Sequence, residues 1–168
     1  MKIAIHDIPE EGLHLSFSSP EWVPGSIRFS GDIAANLVLY NKGNRILVEG
    51  NLHMQVVGCC DRCLCEMLIP IDADFKMNLE RLEELDSRGE QLLSQDQLDT
   101  DFIDASDIDL TGILQQQLYL SLPIKQLCNE TCLGLCSRCG KDLNKGTCRC
   151  PQGTASPFSS LASLLKEG

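Results

Sequence analysis

The sequence predicts an α+β protein, with an antiparallel, curled or barrel-like sheet in the N-terminal half and helices plus a cysteine-rich module in the C-terminal half. Three observations predict it. Apolar and polar residues alternate over much of the first half, as in half-buried strands. Apolar residues recur at spacings of three and four before Pro123, as on one face of a helix. Ten cysteines are present, all of them in two clusters, 59–65 and 128–150. A chain of 168 residues buries a real core and has no need of disulfides to fold.

In order along the chain, Leu13, Leu15 and Phe17 alternate with His14 and Ser16 and read as a strand. Residues 33–40 are a second, apolar strand after a turn-like Ser30-Gly31-Asp32. Asn41-Lys42-Gly43-Asn44 reads as the loop of a hairpin leading into a strand over 45–57. There Ile46, Val48, Leu52, Met54 and Val56 keep period two, with Gly50 as a bulge or bend. Residues 67–77 are a third long strand. Strands without intervening helices imply antiparallel pairing. Residues 80–109 hold eleven acids against Arg81 and Arg88. They start helically, on Leu79, Leu82 and Leu85, and continue as an exposed, partly mobile loop. Leu110, Ile113, Leu114, Leu118 and Tyr119 mark a helix that Asp109 or Thr111 caps and Pro123 ends. Phe158, Leu161, Leu164 and Leu165 lie on one face of a short C-terminal amphipathic helix. The expected organisation is a mainly β body over 1–79, the acidic segment over 80–109, and helix, cysteine module and terminal helix over 110–168, together one domain.

The first twelve residues have no apolar core and no small-residue cleavage site, so they do not read as a signal peptide. No apolar run approaches the ~20 residues of a membrane helix. The chain therefore reads as cytoplasmic, without a membrane partner, and in a reducing compartment clustered cysteines bind metal more often than they form disulfides. Net charge is −10, which argues against simple nucleic-acid binding. The balance is uneven: residues 125–168 hold six basic and three acidic side chains, net +3, leaving −13 for the rest.

Cys136-Ser137-Arg138-Cys139-Gly140 is the strongest local signal. Two cysteines separated by two residues direct both sulfurs at one ion, and the following glycine permits the positive φ that turns backbone N–H groups toward the thiolates. Cys148 and Cys150 supply a second pair, and four thiolates suit the tetrahedral demand of a structural zinc ion. Cys128 and Cys132 are alternates. Cys60 and Cys63 repeat the spacing with no second pair close in sequence; they complete a site with Cys128 or Cys132 in space, or bind nothing. A redox pair at Cys136 and Cys139 is the alternative, although no neighbour beyond Arg138 is seen to lower a thiol pKa there. Catalytic patterns are otherwise missing. His6, His14 and His53 have no nucleophile partner that spacing reveals, and neither a phosphate-binding glycine loop nor a Gly-x-Ser-x-Gly elbow occurs. The chain reads as no enzyme, with no small-molecule substrate.

These blocks resemble the YceD family, the large ribosomal RNA subunit accumulation proteins. The likeness lies in Asp7-Ile8-Pro9-Glu10-Glu11-Gly12-Leu13, Gly31-Asp32-Ile33-Ala34-Ala35, Val48-Glu49-Gly50, Cys60-Asp61-Arg62-Cys63-Leu64, and Leu118-Tyr119-Leu120-Ser121-Leu122-Pro123. It is most specific in the stretch from Cys132 to Asn144 followed by Cys148 and Cys150. Departures are Gln115-Gln116-Gln117, where a glutamate is expected, Asp142 in place of a small residue, and the extra Cys59 and Cys65. The resemblance implies a role in accumulation of large-subunit (23S) ribosomal RNA, hence in assembly of the large ribosomal subunit, and no known enzymatic step. The partner it implies is ribosomal RNA or a basic ribosomal protein of the large subunit. Arg138, Lys141, Lys145 and Arg149, on a loop that zinc would stiffen, are the expected contact residues. A zinc-ribbon protein of transcription is a further alternative.

Overall fold

A computed structural model describes residues 1–43, 45–81, 100–103 and 106–150. The chain divides into two compact units: Met1–Cys59 with Glu66–Gln126, and Cys60–Cys65 with the chain from Leu127 onward.

The first unit is built on strands β1 (Lys2–Ala4), β2 (Leu13–Phe17), β3 (Phe29–Asn41), β4 (Arg45–Cys59), β5 (Glu66–Arg81), β6 (Thr100–Ile103) and β7 (Asp107–Asp109), and on helix α1 (Leu110–Ser121). Five strands form one sheet in the order β2-β3-β4-β5-β6, and β1 pairs with β7 in a second. Period-two patterning sets the main register. Leu37 and Leu39 of β3, Val48 and Leu52 of β4, and Ile71 and Leu79 of β5 all face one side and are buried there. That face joins Ile108, Leu110, Ile113, Leu114, Leu118 and Trp22 in a single core. The β3–β4 turn closes through Lys42 N–H to the Arg45 carbonyl (2.9 Å), with Gly43 at φ +83°.

The sheet is open, which corrects the barrel-like expectation. Its edge strands β2 and β6, of five and four residues, pair with β3 and β5 and, among the described residues, not with each other. The apolar face is covered by α1 and the N-terminal segment instead of by closure on itself. The sheet is also mixed: β6 runs parallel to β5, a pairing that needs a crossover of a dozen or more residues.

Two other expectations change. Gly50 is no bulge, because register runs unbroken through Leu37, Gly50 and Phe75. A Cβ at Gly50 would meet Phe75 Cζ at 2.5 Å and Leu37 Cδ2 at 2.7 Å, so glycine makes room for the ring. The irregularity lies in β3, between Ser30 and Ala34. Leu79, read as the start of a helix, lies in β5 with its side chain in the core. The rest of that helical reading, and the C-terminal amphipathic helix, lie outside the described residues. Within the acidic segment, Thr100–Ile103 and Asp107–Asp109 are strands.

Helix α1 is the only α-helix among the described residues and ends before Pro123, as its periodicity predicts. Asp109 holds the N-cap position but makes no side-chain cap bond. Thr111 Oγ1 instead accepts a hydrogen bond from the Met1 ammonium (2.6 Å). Tyr119, expected on the apolar face, is half exposed, with its hydroxyl 3.1 Å from Ser26 Oγ.

Candidate metal centres

Strands β4 and β5 form a long hairpin whose turn, residues 60–65, belongs to the second unit. The turn is closed by two hydrogen bonds: Cys60 N–H to the Cys65 carbonyl and Leu64 N–H to the Cys60 carbonyl, both 2.9 Å. The stretch 136–141 repeats this pattern. Cys136 N–H bonds the Lys141 carbonyl (2.8 Å) and Gly140 N–H the Cys136 carbonyl (2.9 Å). The residue after each Cys-x-x-Cys is left-handed, Leu64 at φ +59° and Gly140 at φ +70°. The two segments are thus the same knuckle built twice, and each turns its two cysteines to one side.

Each knuckle meets a second pair of thiols. Cys60, Cys63, Cys128 and Cys132 form one tetrad, and Cys136, Cys139, Cys148 and Cys150 the other; within each, all sulfurs lie within 4.8 Å of one another. Both belong wholly to the second unit. Tetrahedral zinc with bonds of about 2.3 Å spaces its sulfurs about 3.8 Å apart. The separations of 3.9 Å (Cys60 to Cys132), 3.6 Å (Cys63 to Cys128) and 3.4 Å (Cys136 to Cys148) suit such an ion. An all-sulfur tetrahedral donor set takes zinc or iron. The four residues first expected to act together are therefore brought together. The four alternates make a separate group, and neither pair of alternates joins the Cys136 tetrad.

The electrostatics follow from backbone geometry. Amide N–H groups of Cys128, Cys63 and Arg62 lower the Cys60 thiol to about 6 against the opposing effect of burial. Amides of Cys139 and Arg138, with the Cys148 thiol, lower Cys136 to about 6. This corrects the reading that no neighbour beyond Arg138 lowers the Cys136 pKa: the main donors are main-chain amides, of Arg138 among them, which side-chain identity does not reveal. The opposite shift falls on one thiol opposite each knuckle. Hydrogen bonding to Cys63 and Cys132 pushes Cys128 far up, and Cys139 pushes Cys150 up to about 12. In each tetrad one sulfur is prepared as a thiolate, while another keeps its proton until a cation displaces it.

Asn144 links the two groups. It lies in the loop of the Cys136 tetrad, yet its Nδ2 donates to Cys132 Sγ (3.3 Å) and its Oδ1 accepts from Leu133 N–H (2.8 Å). Asp142 holds Asn144 in turn, accepting from its backbone N–H (2.9 Å) and Nδ2 (2.8 Å). That amide is the main cause of the lowered Asp142 carboxyl. Arg62 ties the hairpin turn to the second pair, donating to the carbonyls of Cys132 (2.8 Å) and Glu130 (3.3 Å). Gly134, at φ +75°, lies where a Cβ would stand 3.0 Å from the Arg62 carbonyl. Sequence spacing singles out neither Asn144 nor Arg62, because their partners lie 12 and 70 residues away.

The expected contact residues Arg138, Lys141, Lys145 and Arg149 are all exposed. Two also serve the loop: Lys141 Nζ donates to the Thr147 carbonyl (2.8 Å), and Lys145 Nζ stands 3.8 Å from Asp142 Oδ2. His6, His14 and His53 are exposed, and none joins a metal-binding group among the described residues. No helix among those residues is long and apolar enough to cross a membrane.

The family model of the large ribosomal RNA subunit accumulation protein YceD matches residues 48–165, which include both tetrads. A large ribosomal RNA subunit accumulation protein YCED homolog 1, chloroplastic, from Arabidopsis thaliana is 32% identical over 47 residues. That match covers 28% of this chain and 15% of the plant protein. No solved structure matches the chain. The chain belongs to the YceD family of large ribosomal RNA subunit accumulation proteins.

Proposed function

We propose that this protein is a non-enzymatic factor supporting accumulation of large-subunit (23S) ribosomal RNA and assembly of the large subunit, and that it holds two structural zinc ions. The observation that carries the metal reading is the convergence of eight cysteines into two tetrads on matching knuckles. Family membership supports the ribosomal role. Cys136, Cys139, Cys148 and Cys150 would hold one ion, and Cys60, Cys63, Cys128 and Cys132 the other. Bound zinc would supply a tetrahedral cross-link. The chain's own residues do the rest: backbone amides hold Cys60 and Cys136 ready to ligate, Asn144 fixes Cys132, and Arg62 anchors the hairpin turn.

The module would present Arg138, Lys141, Lys145 and Arg149 to ribosomal RNA or a ribosomal protein; alternatively the acidic remainder would hold a basic protein of the large subunit, since opposite charge steers encounter. The protein is proposed to act in the cytoplasm. Depleting it in its host tests the role: a selective fall in large- relative to small-subunit ribosomal RNA is expected, and an unchanged ratio with depletion verified would contradict it. Replacing the four basic residues together should weaken partner binding in low salt, and unchanged binding would remove them from the interface.

One observation favours a second reading. A Cys136 thiol near 6 also suits a redox nucleophile paired with Cys139. Alkylation of the purified, metal-loaded protein separates the two: zinc ligation protects both cysteines, whereas a redox pair alkylates readily and cycles through a Cys136–Cys139 disulfide.

A further inference from the structure

The hairpin knuckle has a fifth thiol that its counterpart lacks. Cys65 occupies the place that Lys141 holds in the second knuckle, each accepting through its carbonyl the bond from the first cysteine of its turn. A thiol there is therefore unnecessary for the knuckle's shape. Cys65 Sγ nevertheless lies 3.2 Å from Cys63 Sγ, closer than the 3.6 Å from Cys63 to Cys128 or the 3.9 Å from Cys60 to Cys132. It stands outside the tetrad and is half-buried, while Cys60, Cys63 and Cys132 are buried and Cys128 is exposed. An accessible non-ligand sulfur thus touches a ligand sulfur at one centre. Among the described residues the other centre has no such neighbour.

We propose that Cys63 and Cys65 form a dithiol that a peroxide oxidises to a disulfide, releasing the metal ion from the first centre and leaving the second loaded. This rests on the reading of the first tetrad as a metal site. Peroxide attacks the sulfur that no metal would hold: Cys65 loses its thiol proton and takes one oxygen, the O–O bond breaks, and water leaves, forming a sulfenic acid. The Cys63 thiolate then attacks the Cys65 sulfur; an S–S bond forms, the S–O bond breaks, and hydroxide departs. The two cysteines lose two electrons and the peroxide gains them. Cys63 has then given up the electron pair that bound the metal. Three ligands remain, too few to close a structural site, and the metal cross-link between the hairpin turn and residues 128–132 is lost, leaving only the Arg62 hydrogen bonds.

The test is zinc release from the purified full chain treated with hydrogen peroxide, followed with a chromophoric chelator, with disulfides located by tandem mass spectrometry. The wild type should release one equivalent of zinc, carry a Cys63–Cys65 disulfide, and regain the ion after treatment with a thiol reductant and zinc. Cys65→Ser should release it at least about tenfold more slowly, and Cys59→Ser should behave as wild type. Equal rates in Cys65→Ser and wild type, or a disulfide joining Cys63 to Cys128, would overturn the proposal while leaving the metal reading intact. A first centre empty of metal before peroxide is added would overturn both.

Discussion

Leu64 and Gly140 hold the same position in two knuckles closed by the same hydrogen bonds, and they differ in what that position costs. A left-handed conformation costs a residue with a Cβ roughly 1–2 kcal/mol, and glycine avoids most of this while losing more chain entropy on folding. Leu64 is 65% exposed and has little burial to lose. Leu64→Gly is therefore predicted to stabilise the metal-loaded protein by about 0.5–1 kcal/mol and Gly140→Ala to destabilise it by about 1 kcal/mol. Urea midpoints check both; a lower midpoint for Leu64→Gly would show that its side chain is needed for packing. Asn144→Ala tests the link between the centres. Partners that orient a ligand typically change metal affinity by about 10–100-fold, so a chelator competition should show weakened binding at the Cys60 tetrad, with fold retained. The lowered thiols make a pH prediction. A pKa lowered from 9.0 to about 6 in the folded state gives stability that is fully present above the unfolded value and lost as pH falls through about 6. Metal affinity, read by chelator competition, should therefore fall more steeply as pH drops through about 6, where Cys60 and Cys136 take up protons. Because Cys60 and Cys136 are already ionised at neutral pH, uptake should release fewer than four protons per ion, measurable with an indicator dye in weak buffer.

At the scale of elements, the long strands and α1 are legible because each keeps one period over many residues, and burial on the predicted face follows. Gly50 misleads because a glycine inside a strand has two physical readings, a bulge or room for a neighbour, and only the register with Phe75 decides. Gly50→Ala should destabilise the fold by about 1–3 kcal/mol through overpacking, and a smaller residue at Phe75 should recover part of it; thermal denaturation of the single and double variants measures the coupling. Leu79 is misread because three leucines spaced by three imitate a helix, while pairing of Ile46 with Leu79 extends β5. Parallel β6 is invisible beforehand: four residues carry no periodicity, and the strand exists through pairing with Asn78–Arg81. The tetrads divide in the same way. Cys136 to Cys150 converge within a short stretch that spacing reveals, whereas Cys63 and Cys128 are 65 residues apart and meet through the fold.

For the whole molecule, charge constrains the partner. Residues 60–65 and 127–150 carry five basic and three acidic side chains, net +2 with neutral thiols. A zinc ion with four thiolates has net charge −2, so two loaded centres would bring this stretch to −2 and deepen the chain's −10. If the acidic remainder holds the proposed basic partner, metal loading would add to the opposite charge, and that binding should weaken steeply as salt rises.

The central claim is that eight cysteines make two separate four-thiolate metal centres. Native mass spectrometry of the intact chain, purified without added metal, tests it most directly. The wild type should carry two zinc ions, Cys60→Ser one and Cys136→Ser one, with the ion kept by each variant at the other tetrad. A wild type with one ion or none, or a single substitution that removes both ions from a chain that remains folded, would contradict the account.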